Sequence, residues 1–478
     1  MTDSLFVETR GGVHVCVPRS ISSMTTYALL EQEDWFEDEI RFVRRLLRPG
    51  TNAIDIGANY GVYTLTMAKA VGAAGRIWSF EPASATAEFL RRSLARNAFA
   101  NVELQQCALS NAPGTRRLKL ESASELNRLS DDGGPGEDVA VDTLDRFAAR
   151  AVSAPVEFIK IDAEGEERNI IEGGAQTLNA HSPLVMIERM HASAVNTPAI
   201  AALRNLGFDL YRLIPGLNLL VPFEEANADR FQLNLFACRR DRATRLEQAG
   251  LLSASVVDVT TPAGSGTRAI VDKPFFRAFA GSVANTAIDA AATQFHAAID
   301  LYALAQDTRQ PASVRWSALR QALGYLLALA GAGLSAPRLF TLARVAAEAG
   351  ERTIAVQLLA KLPLDPDAYD AAAITEPFLP VSPRFETIVP DGEFGLWCAV
   401  AVFEQVERLR ALSSQYASDD ALPFFDAFRA TRFFSPELER RRQLVRMRSG
   451  RQQGPEPSPL LAGRSSSHLN AAFWAGRA

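Results

Sequence analysis

The sequence has few cysteines and few histidines. Its 478 residues include four cysteines, which lie far apart and form no CxxC pair, and five histidines. Neither a zinc cluster nor a disulfide framework is expected from such a pattern. A reducing, cytoplasmic compartment is therefore the expected location of the protein.

Long apolar runs and an excess of basic residues are also missing. The most apolar run, residues 322–334, is shorter than the roughly 18 residues of a membrane span and predicts a buried helix. The first residues, MTDSLFVETRGG, carry acidic groups where a signal peptide would need a basic end and an apolar core. The formal net charge of −5 gives no general attraction to phosphate backbones. We therefore expect no membrane span and no nucleic-acid partner.

Short apolar runs alternate with longer amphipathic ones between residues 52 and 238. This alternation favours an α/β fold with a doubly wound, mostly parallel sheet and helices on both of its faces. Ligands of such sheets bind beyond the carboxyl ends of the strands. Extra strands are predicted by RRLKLE and EDVAVDTLD, and LFVETRGGVHVCVPR predicts an N-terminal β-hairpin.

The second half of the chain is rich in alanine and leucine with helical spacing. RLFTLARVAAEAGERTIAVQLLAKLPLDP resembles one degenerate tetratricopeptide-type hairpin, but arrays need at least ~3 repeats, so a plain helical bundle is favoured. This mainly α-helical domain is expected to bind a partner or substrate. The predicted segments are an N-terminal hairpin region (1–34), an α/β domain (35–252), a linker (253–274), the helical domain (275–448) and a disordered tail (449–478).

The stretch NAIDIGANYGVYT, residues 52–64, predicts a strand that turns through two glycines into a helix. Gly57 and Gly61 would let the backbone pass close to a ligand, and Asn59 tolerates an unusual dihedral angle. The spacing differs from the G-x-G-x-x-G of dinucleotide-binding loops, and Asp55 would repel a pyrophosphate. The motif instead fits a ligand that presents a cation, such as the amino group of S-adenosylmethionine.

An acidic residue follows the next predicted strand. Glu81 ends IWSFE, twenty residues after Gly61, about where an acid meets ribose hydroxyls in folds of this kind. Asp55 alone would be interpreted as a helix cap. Together with both glycines and Glu81 it indicates a binding site.

These segments, with VDTLD and FIKIDAEGEERNIIEGGAQTL, resemble the FkbM family of S-adenosylmethionine-dependent methyltransferases over residues 35–238. IKIDAEGEE is the most specific element. The resemblance implies a class I methyltransferase (Rossmann-like) fold and O-methyl transfer, in bacteria, to a hydroxyl of a sugar, a glycan or another small metabolite. It implies that the cofactor is held by Asp55, Gly57, Asn59 and Gly61 at its methionine part, by Glu81 at its ribose, and by Gln106 and Ala108 at its adenine. For the last two, ordinary strand-end residues are an equally favoured interpretation.

Asp162 follows the fourth predicted strand, at the position that faces the incoming acceptor in this fold. Methyl transfer to an alcohol needs the acceptor oxygen held against the methyl group and a base within hydrogen-bond reach. Asp162 is the first candidate for positioning or deprotonation. Glu164 or Glu166 could instead cap the next helix, which is the preferred interpretation of Glu166.

Glu188 and His191 end the fifth predicted strand, over the same edge of the sheet. His191 is the candidate general base, with a surface loop histidine as the alternative. The predicted catalytic residues are thus Asp162, Glu188 and His191. Acids at the positions of Asp162 and Glu188 suit Mg²⁺ as well, but the prediction includes no metal.

Two further hypotheses stay open. A nicotinamide-dependent oxidoreductase is disfavoured by the missing G-x-G-x-x-G and by IDAEGEE. A catalytically weak scaffold that recruits partners through its helical half is disfavoured by the presence of Asp55, Glu81 and Asp162.

Overall fold

The protein is described by a computed structural model over residues 3–121, 124–130, 135–191, 194–261, 263–279, 289–330 and 334–451. The chain divides into two compact units: Met1–Arg212, Gln232–Leu246 and Gln443–Ala478 form the first, and Leu213–Phe231 and Glu247–Arg442 form the second. The predicted domain boundaries stay a prediction. The predicted tail lies outside the described residues from position 452 onward.

The described part of the chain contains short strands throughout its first half. They are β1 Ser4–Glu8, β2 His14–Pro18, β3 Asn52–Ile56, β4 Arg76–Phe80, β5 Val102–Gln105, β6 Ala108–Leu109, β7 Gly114–Lys119, β8 Arg128–Ser130, β9 Gly136–Asp142, β10 Phe158–Ile161, β11 Leu184–Glu188, β12 Met190–His191, β13 Ala194–Val195, β14 Asp209–Ile214, β15 Leu219–Pro222 and β16 Asn234–Cys238.

Helices connect these strands and then dominate the second half. They are α1 Met24–Gln32, α2 Glu39–Leu46, α3 Val62–Val71, α4 Ser84–Asn97, α5 Leu144–Ala151, α6 Glu167–Glu172, α7 Ala175–His181, α8 Thr197–Asn205, α9 Arg240–Gln248, α10 Ser265–Val271, α11 Ala290–Gln306, α12 Ala312–Leu329, α13 Ala336–Glu348, α14 Arg352–Leu359, α15 Phe394–Arg410, α16 Leu422–Phe428 and α17 Pro436–Arg448.

The central sheet of the first unit has the strand order β5-β4-β3-β10-β11-β16-β14. Neighbours from β5 to β11 run parallel, whereas β16 runs antiparallel to both β11 and β14. The predicted doubly wound, mostly parallel sheet is confirmed. The chain turns from one half of the sheet to the other between β3 and β10, and ligands of open α/β sheets bind at such a switch point.

The two strands at the switch point are buried on both faces. Strands of parallel sheets normally read as continuous apolar runs for this reason. Asp55 in β3 and Lys160 in β10 break the pattern, and they are register partners on adjacent strands. Two opposite charges therefore lie side by side inside the sheet.

Three smaller β structures lie in the described part of the first unit as well: the pair β1-β2, the pair β12-β13 and the sheet β6-β9-β7-β8. β1 and β2 form the predicted antiparallel hairpin, and Gly12 in its turn has a φ of +69°. The predicted extra strands correspond to β7 and β9, which pair antiparallel, with β8 on the other side of β7. Residues 131–134 of the intervening loop lie outside the described residues.

The second unit is mainly helical. α13 and α14 form the predicted helical hairpin around Gly350, whose φ is +82°. The segment predicted as a linker holds α10, whose first amides, those of Gly266 and Thr267, donate to the buried carboxylate of Asp300. Within the described ranges, we find no helix with the length and apolar character that crossing a membrane requires.

Candidate active site

The loop between β3 and α3 has the backbone conformation that its residues predict. Gly57, Asn59 and Gly61 have φ angles of +79°, +49° and +90°, which glycine and asparagine tolerate better than other residues. The amides of Gly57 and Ala58 both donate to the carbonyl of Phe80, at 3.1 and 2.9 Å. The loop is thereby fastened to the end of β4.

Protein atoms also crowd the two glycines. A Cβ atom on Gly57 would lie 1.7 Å from the carbonyl oxygen of Asp162, and one on Gly61 would lie 2.3 Å from Cδ1 of Leu90. Both distances are far below any van der Waals contact. The close approach at Gly57 places the loop after β3 and the loop after β10 against each other, so both belong to one site.

Asp55 is fully buried at the end of β3. Its Oδ2 accepts a hydrogen bond of 2.6 Å from the hydroxyl of Thr64, which also lies 2.8 Å from the hydroxyl of Ser79. Its Oδ1 is buried and has no hydrogen-bond partner among the described residues. A buried carboxylate oxygen without a donor is costly, and such an atom in a native protein calls for a ligand or water.

Lys160 supplies the positive charge beside this acid. Lys160 is 5% exposed. Its ammonium group donates a hydrogen bond of 2.7 Å to Oδ2 of Asp162. Burial raises the pKa of Asp55, whereas the charge of Lys160 lowers it. Lys160 thus favours the ionised form of Asp55. Lys160 was not among the predicted site residues, although a lysine inside an apolar strand is unusual enough to indicate a functional position.

Glu81 holds the glycine loop from the end of β4. Its Oε2 accepts from the amide of Asn59 at 2.8 Å, and its Oε1 accepts from the amide of Ala83 at 2.9 Å. Burial raises the pKa of Glu81 to about 7. A carboxylate can accept about four hydrogen bonds, so these two contacts leave capacity for ligand hydroxyls.

The two residues predicted at the adenine lie in different surroundings. Ala108 is buried in an apolar cluster with Ala83, Leu118, Val139 and Val141. Gln106 is exposed, and its side-chain oxygen accepts from the guanidinium of Arg91 on α4. The structure brings Ala108, but not Gln106, to an apolar surface next to the end of β4.

Three carboxylates meet beyond the ends of β10 and β11. Asp162, Glu164 and Glu188 each offer an oxygen, and these oxygens all lie within 4.8 Å of one another. Burial raises the pKa of Glu164 to about 8 and that of Glu188 to about 9, and the charge of Asp162 adds to both increases. The structure thus brings together two of the predicted catalytic residues and adds Glu164. Oxygen ligands at this spacing could hold a divalent cation such as Mg²⁺.

A comparison with protein-family models matches part of this unit. Residues 55–210 match the model of the methyltransferase FkbM domain. The resemblance carried by the sequence motifs is confirmed over these residues. No curated protein matches the chain.

The chain is similar to several solved methyltransferases. An FkbM methyltransferase from Methylobacillus flagellatus KT is 16% identical with a TM-score of 0.28, over 42% of this chain and 50% of that one. Cofactor-bound Rv0187 from MTB is also 16% identical, with a TM-score of 0.26, over 42% and 79%. The O-methyltransferase TomG from Streptomyces achromogenes, involved in tomaymycin synthesis and solved with S-adenosylmethionine, is 13% identical with a TM-score of 0.25, over 42% and 78%. The chain spans half the length of the M. flagellatus protein.

The third predicted catalytic residue, His191, is described by its backbone alone. The backbone of His191 belongs to β12 and pairs with Ala194 of β13. Its side chain lies outside the described residues. The predicted role of His191 as a general base therefore stays a prediction.

Glu37 joins the acids from outside the matched range. It precedes α2, and its Oε2 accepts a hydrogen bond of 2.6 Å from the hydroxyl of Tyr63. Nζ of Lys160 lies 5.2 Å from the centroid of the Tyr63 ring. Burial raises the pKa of Glu37, and the nearby charge of Asp162 adds to the increase. Glu37 carries no motif signal, since it lies in an acidic run upstream of every FkbM motif.

Glu166 has a different role from the expected one. It occupies the N-cap position of α6, but its side chain makes no capping hydrogen bond. Its oxygens instead accept from Ser110 at 2.8 Å, from Arg116 at 2.8 Å and from Asn169 at 2.9 Å. The interpretation of the Glu166 side chain as a helix cap is therefore wrong. The side chain instead connects α6 to the segment after β6 and to β7.

The raised pKa of Glu81 predicts a pH-dependent stability. Below pH 4.5, its ordinary pKa, the carboxyl of Glu81 is protonated in both the folded and the unfolded protein. Between pH 4.5 and about 7 it ionises in the unfolded protein but stays protonated in the folded one. The free energy of unfolding therefore falls as the pH rises through this range. The shift corresponds to about 3 kcal/mol. We expect Glu81→Gln to reduce this fall between pH 4.5 and 7.5, as measured by urea unfolding. The control is Glu88→Gln on α4, an exposed position; an equal pH slope in wild type and Glu81→Gln would contradict the assignment.

Proposed function

We propose that this protein is an O-methyltransferase that moves a methyl group from S-adenosylmethionine to a hydroxyl of a sugar, a glycan or another small hydroxylated metabolite. One observation carries the proposal. The glycine loop that follows Asp55 packs directly against the loop that starts at Asp162, so the predicted cofactor residues and the carboxylate cluster adjoin one another. A donor site beside a cluster of potential bases is what methyl transfer to an alcohol requires.

The residues at the first loop fit the proposed cofactor. The buried Oδ1 of Asp55 lacks a donor, and the ammonium of the methionine part could supply one. Gly57, Asn59 and Gly61 would form the floor under that part, and the remaining acceptor capacity of Glu81 suits a ribose. The apolar cluster around Ala108 supports an adenine contact there, whereas Gln106 has only its position in its favour.

Lys160, Asp162, Glu164 and Glu188 define the proposed acceptor side. When bound, the cofactor supplies an electrophilic methyl group. Asp162, which accepts from Lys160 at 2.7 Å, can also accept a hydrogen bond from the acceptor hydroxyl and orient it. Glu164 and Glu188, with pKa values of about 8 and about 9, hold a proton at neutral pH, and their ionised forms, which grow as the pH rises toward those values, are suited to take up the proton of the acceptor hydroxyl. His191 is the other proposed base.

The proposal is tested by binding and transfer in one series. We expect calorimetry to detect S-adenosylmethionine binding, and expect label from methyl-labelled cofactor to enter a panel of free sugars, nucleotide sugars and oligosaccharides. An O-methyl ether survives mild alkali, whereas a methyl ester does not. Absence of binding at millimolar cofactor would refute the proposal and favour a methyltransferase-like scaffold that recruits partners through its helical half. Transfer with and without EDTA would show whether a metal takes part.

Two variants separate the proposed roles. Asp55→Ala should abolish cofactor binding, because it removes the acceptor for the cofactor's ammonium. His191→Ala should bind the cofactor as the wild type does but lower turnover, by about 10²–10⁴-fold if it is the general base. Calorimetry and initial rates provide the two measurements. Unchanged turnover in His191→Ala would show that the base assignment is wrong.

A further inference from the structure

The loop between β10 and α6 has an unusual backbone at one of the clustered acids. Glu164 has a φ of +47°, and Gly165, which follows it, has a φ of +97°. The left-handed region costs an ordinary residue roughly 1–2 kcal/mol. Glutamate gains nothing locally from that conformation, since its side chain is too long for the local hydrogen bonds that favour asparagine and aspartate there. Other contacts must therefore hold Glu164 in it.

Glu167 supplies these contacts. Glu167 is buried, with 1% of its surface exposed. Oε1 accepts from the amides of Ala163 at 3.0 Å and Gly165 at 3.2 Å, and Oε2 lies 3.1 Å from the amide of Gly165. These amides flank Glu164 on either side. Charge-assisted bonds to buried amides are about twice as strong as neutral ones, which is enough to offset the left-handed backbone.

Asn196 connects this carboxylate to the next strand. Its Nδ2 donates to Oε2 of Glu167 at 3.2 Å and to the carbonyl oxygen of Glu188 at 3.3 Å. Its backbone amide donates to the carbonyl of Arg189 at 2.7 Å. Because one amide group contacts both partners, the loop that carries Glu164 and the strand end that carries Glu188 share a single support.

We infer that Glu167 and Asn196 are positioning residues that hold the carboxylates of Glu164 and Glu188 beside Asp162 at the acceptor end of the site. The inference rests on the proposed function for the reaction that these acids serve. The pair itself has no role in holding the cofactor. Its two members lie beyond the ends of β10 and β11, whereas the proposed cofactor residues lie at the ends of β3, β4 and β5.

Asn196 also caps α8, and a matched variant separates the two roles. Its Oδ1 accepts from the amide of Ala199 at 3.4 Å. Asn196→Asp keeps an N-cap acceptor of equal preference but removes the amide donor and puts a second carboxylate next to Glu167. Asn196→Ala removes both roles. An effect that Asn196→Asp shares with Asn196→Ala therefore comes from the lost amide donor.

Hydrogen exchange followed by mass spectrometry tests the inference without an acceptor. We expect peptides over residues 162–167 to exchange about tenfold faster in Glu167→Gln, Asn196→Ala and Asn196→Asp. S-adenosylhomocysteine affinity should stay within about threefold of the wild type. In transfer assays, kcat should fall about tenfold or more while KM for S-adenosylmethionine changes little. This split between kcat and KM is not expected of a general loss of folding.

The outcomes distinguish this inference from the proposed function. Unchanged exchange of residues 162–167 in Asn196→Asp and Glu167→Gln would overturn the positioning role, whether or not the protein transfers methyl groups. A wild type that fails to bind S-adenosylhomocysteine would refute the proposed function. The exchange rates of residues 162–167 would still show whether Glu167 and Asn196 hold the loop. Faster exchange with unchanged kcat would show that the loop is held by the pair but that the position of Glu164 and Glu188 does not matter for the reaction.

Discussion

Gly57→Ala is expected to abolish S-adenosylhomocysteine binding and to destabilise the fold strongly. Alanine at a φ of +79° costs roughly 1–2 kcal/mol for the left-handed backbone alone. Its Cβ would also lie 1.7 Å from the carbonyl oxygen of Asp162, a backbone atom that cannot rotate away. Relieving such an overlap in a packed interior typically costs a further 1–3 kcal/mol or so. The loops after β3 and β10 must separate, and both sides of the proposed site are displaced.

Gly50→Ala is the matched control for this variant. Gly50 has a φ of +86°, close to that of Gly57, but a Cβ there would meet no atom within 4 Å. The two variants therefore share the backbone strain and differ in the collision. Urea unfolding and calorimetry on both should give a clearly larger loss of stability for Gly57→Ala and loss of binding for that variant alone. Equal effects would show that φ, and not the approach of Asp162, requires glycine at position 57.

The periodic features of the first unit could be predicted from the sequence because they arise from local chemistry. Alternation of apolar runs predicted the parallel strands, and the glycines and Asn59 predicted the left-handed loop. β16 was missed: it follows β15 in the chain but lies between β11 and β14. Strand order depends on contacts between distant segments, which short-range patterns do not record.

The site could be predicted only where a residue follows directly from a strand end. Asp55, Glu81, Asp162 and Glu188 were predicted in this way. Lys160 and Glu167 were not: their roles depend on which atoms their side chains reach across the sheet and the loop, and spacing does not reveal that. Glu37 enters the site from a segment before α2, so only the tertiary fold places it next to Tyr63.

Lys160→Met is expected to have the second large effect, because it removes a buried charge that several acids share. Burial alone would lower the pKa of Lys160, but Asp162 and Asp55 raise it overall. Lys160 forms its ion pair with Asp162, and its charge also opposes the rise in the pKa of buried Asp55. Leaving a buried acid without its compensating charge typically costs about 3–5 kcal/mol. Asp55, which has no exposed surface, is the acid most affected. The free energy of unfolding should fall by about that amount in urea titrations at pH 7.

The loss of Lys160 should also weaken cofactor binding in a pH-dependent way. Burial already raises the pKa of Asp55, and the charge of Lys160 opposes that increase. Without the lysine a larger fraction of Asp55 is protonated, and a neutral carboxyl attracts an ammonium less. The affinity lost in Lys160→Met should be largest at pH values where Asp55 is ionised in the wild type but protonated in the variant, and it should shrink as the pH rises further and the variant ionises too.

A double-mutant cycle identifies the charge pair as the cause. Asp55→Asn removes the acid that Lys160→Met leaves uncompensated, so the double variant should be less destabilised than the sum of the two single variants. Contacting residues in one charge network typically show interaction energies of about 0.5–3 kcal/mol. Additivity within about 0.5 kcal/mol would mean that Lys160 stabilises the unit through packing of its alkyl chain instead. In that case the ionisation of Asp55, and with it the proposed hold on the cofactor's ammonium, would depend on Thr64 and not on the lysine beside it.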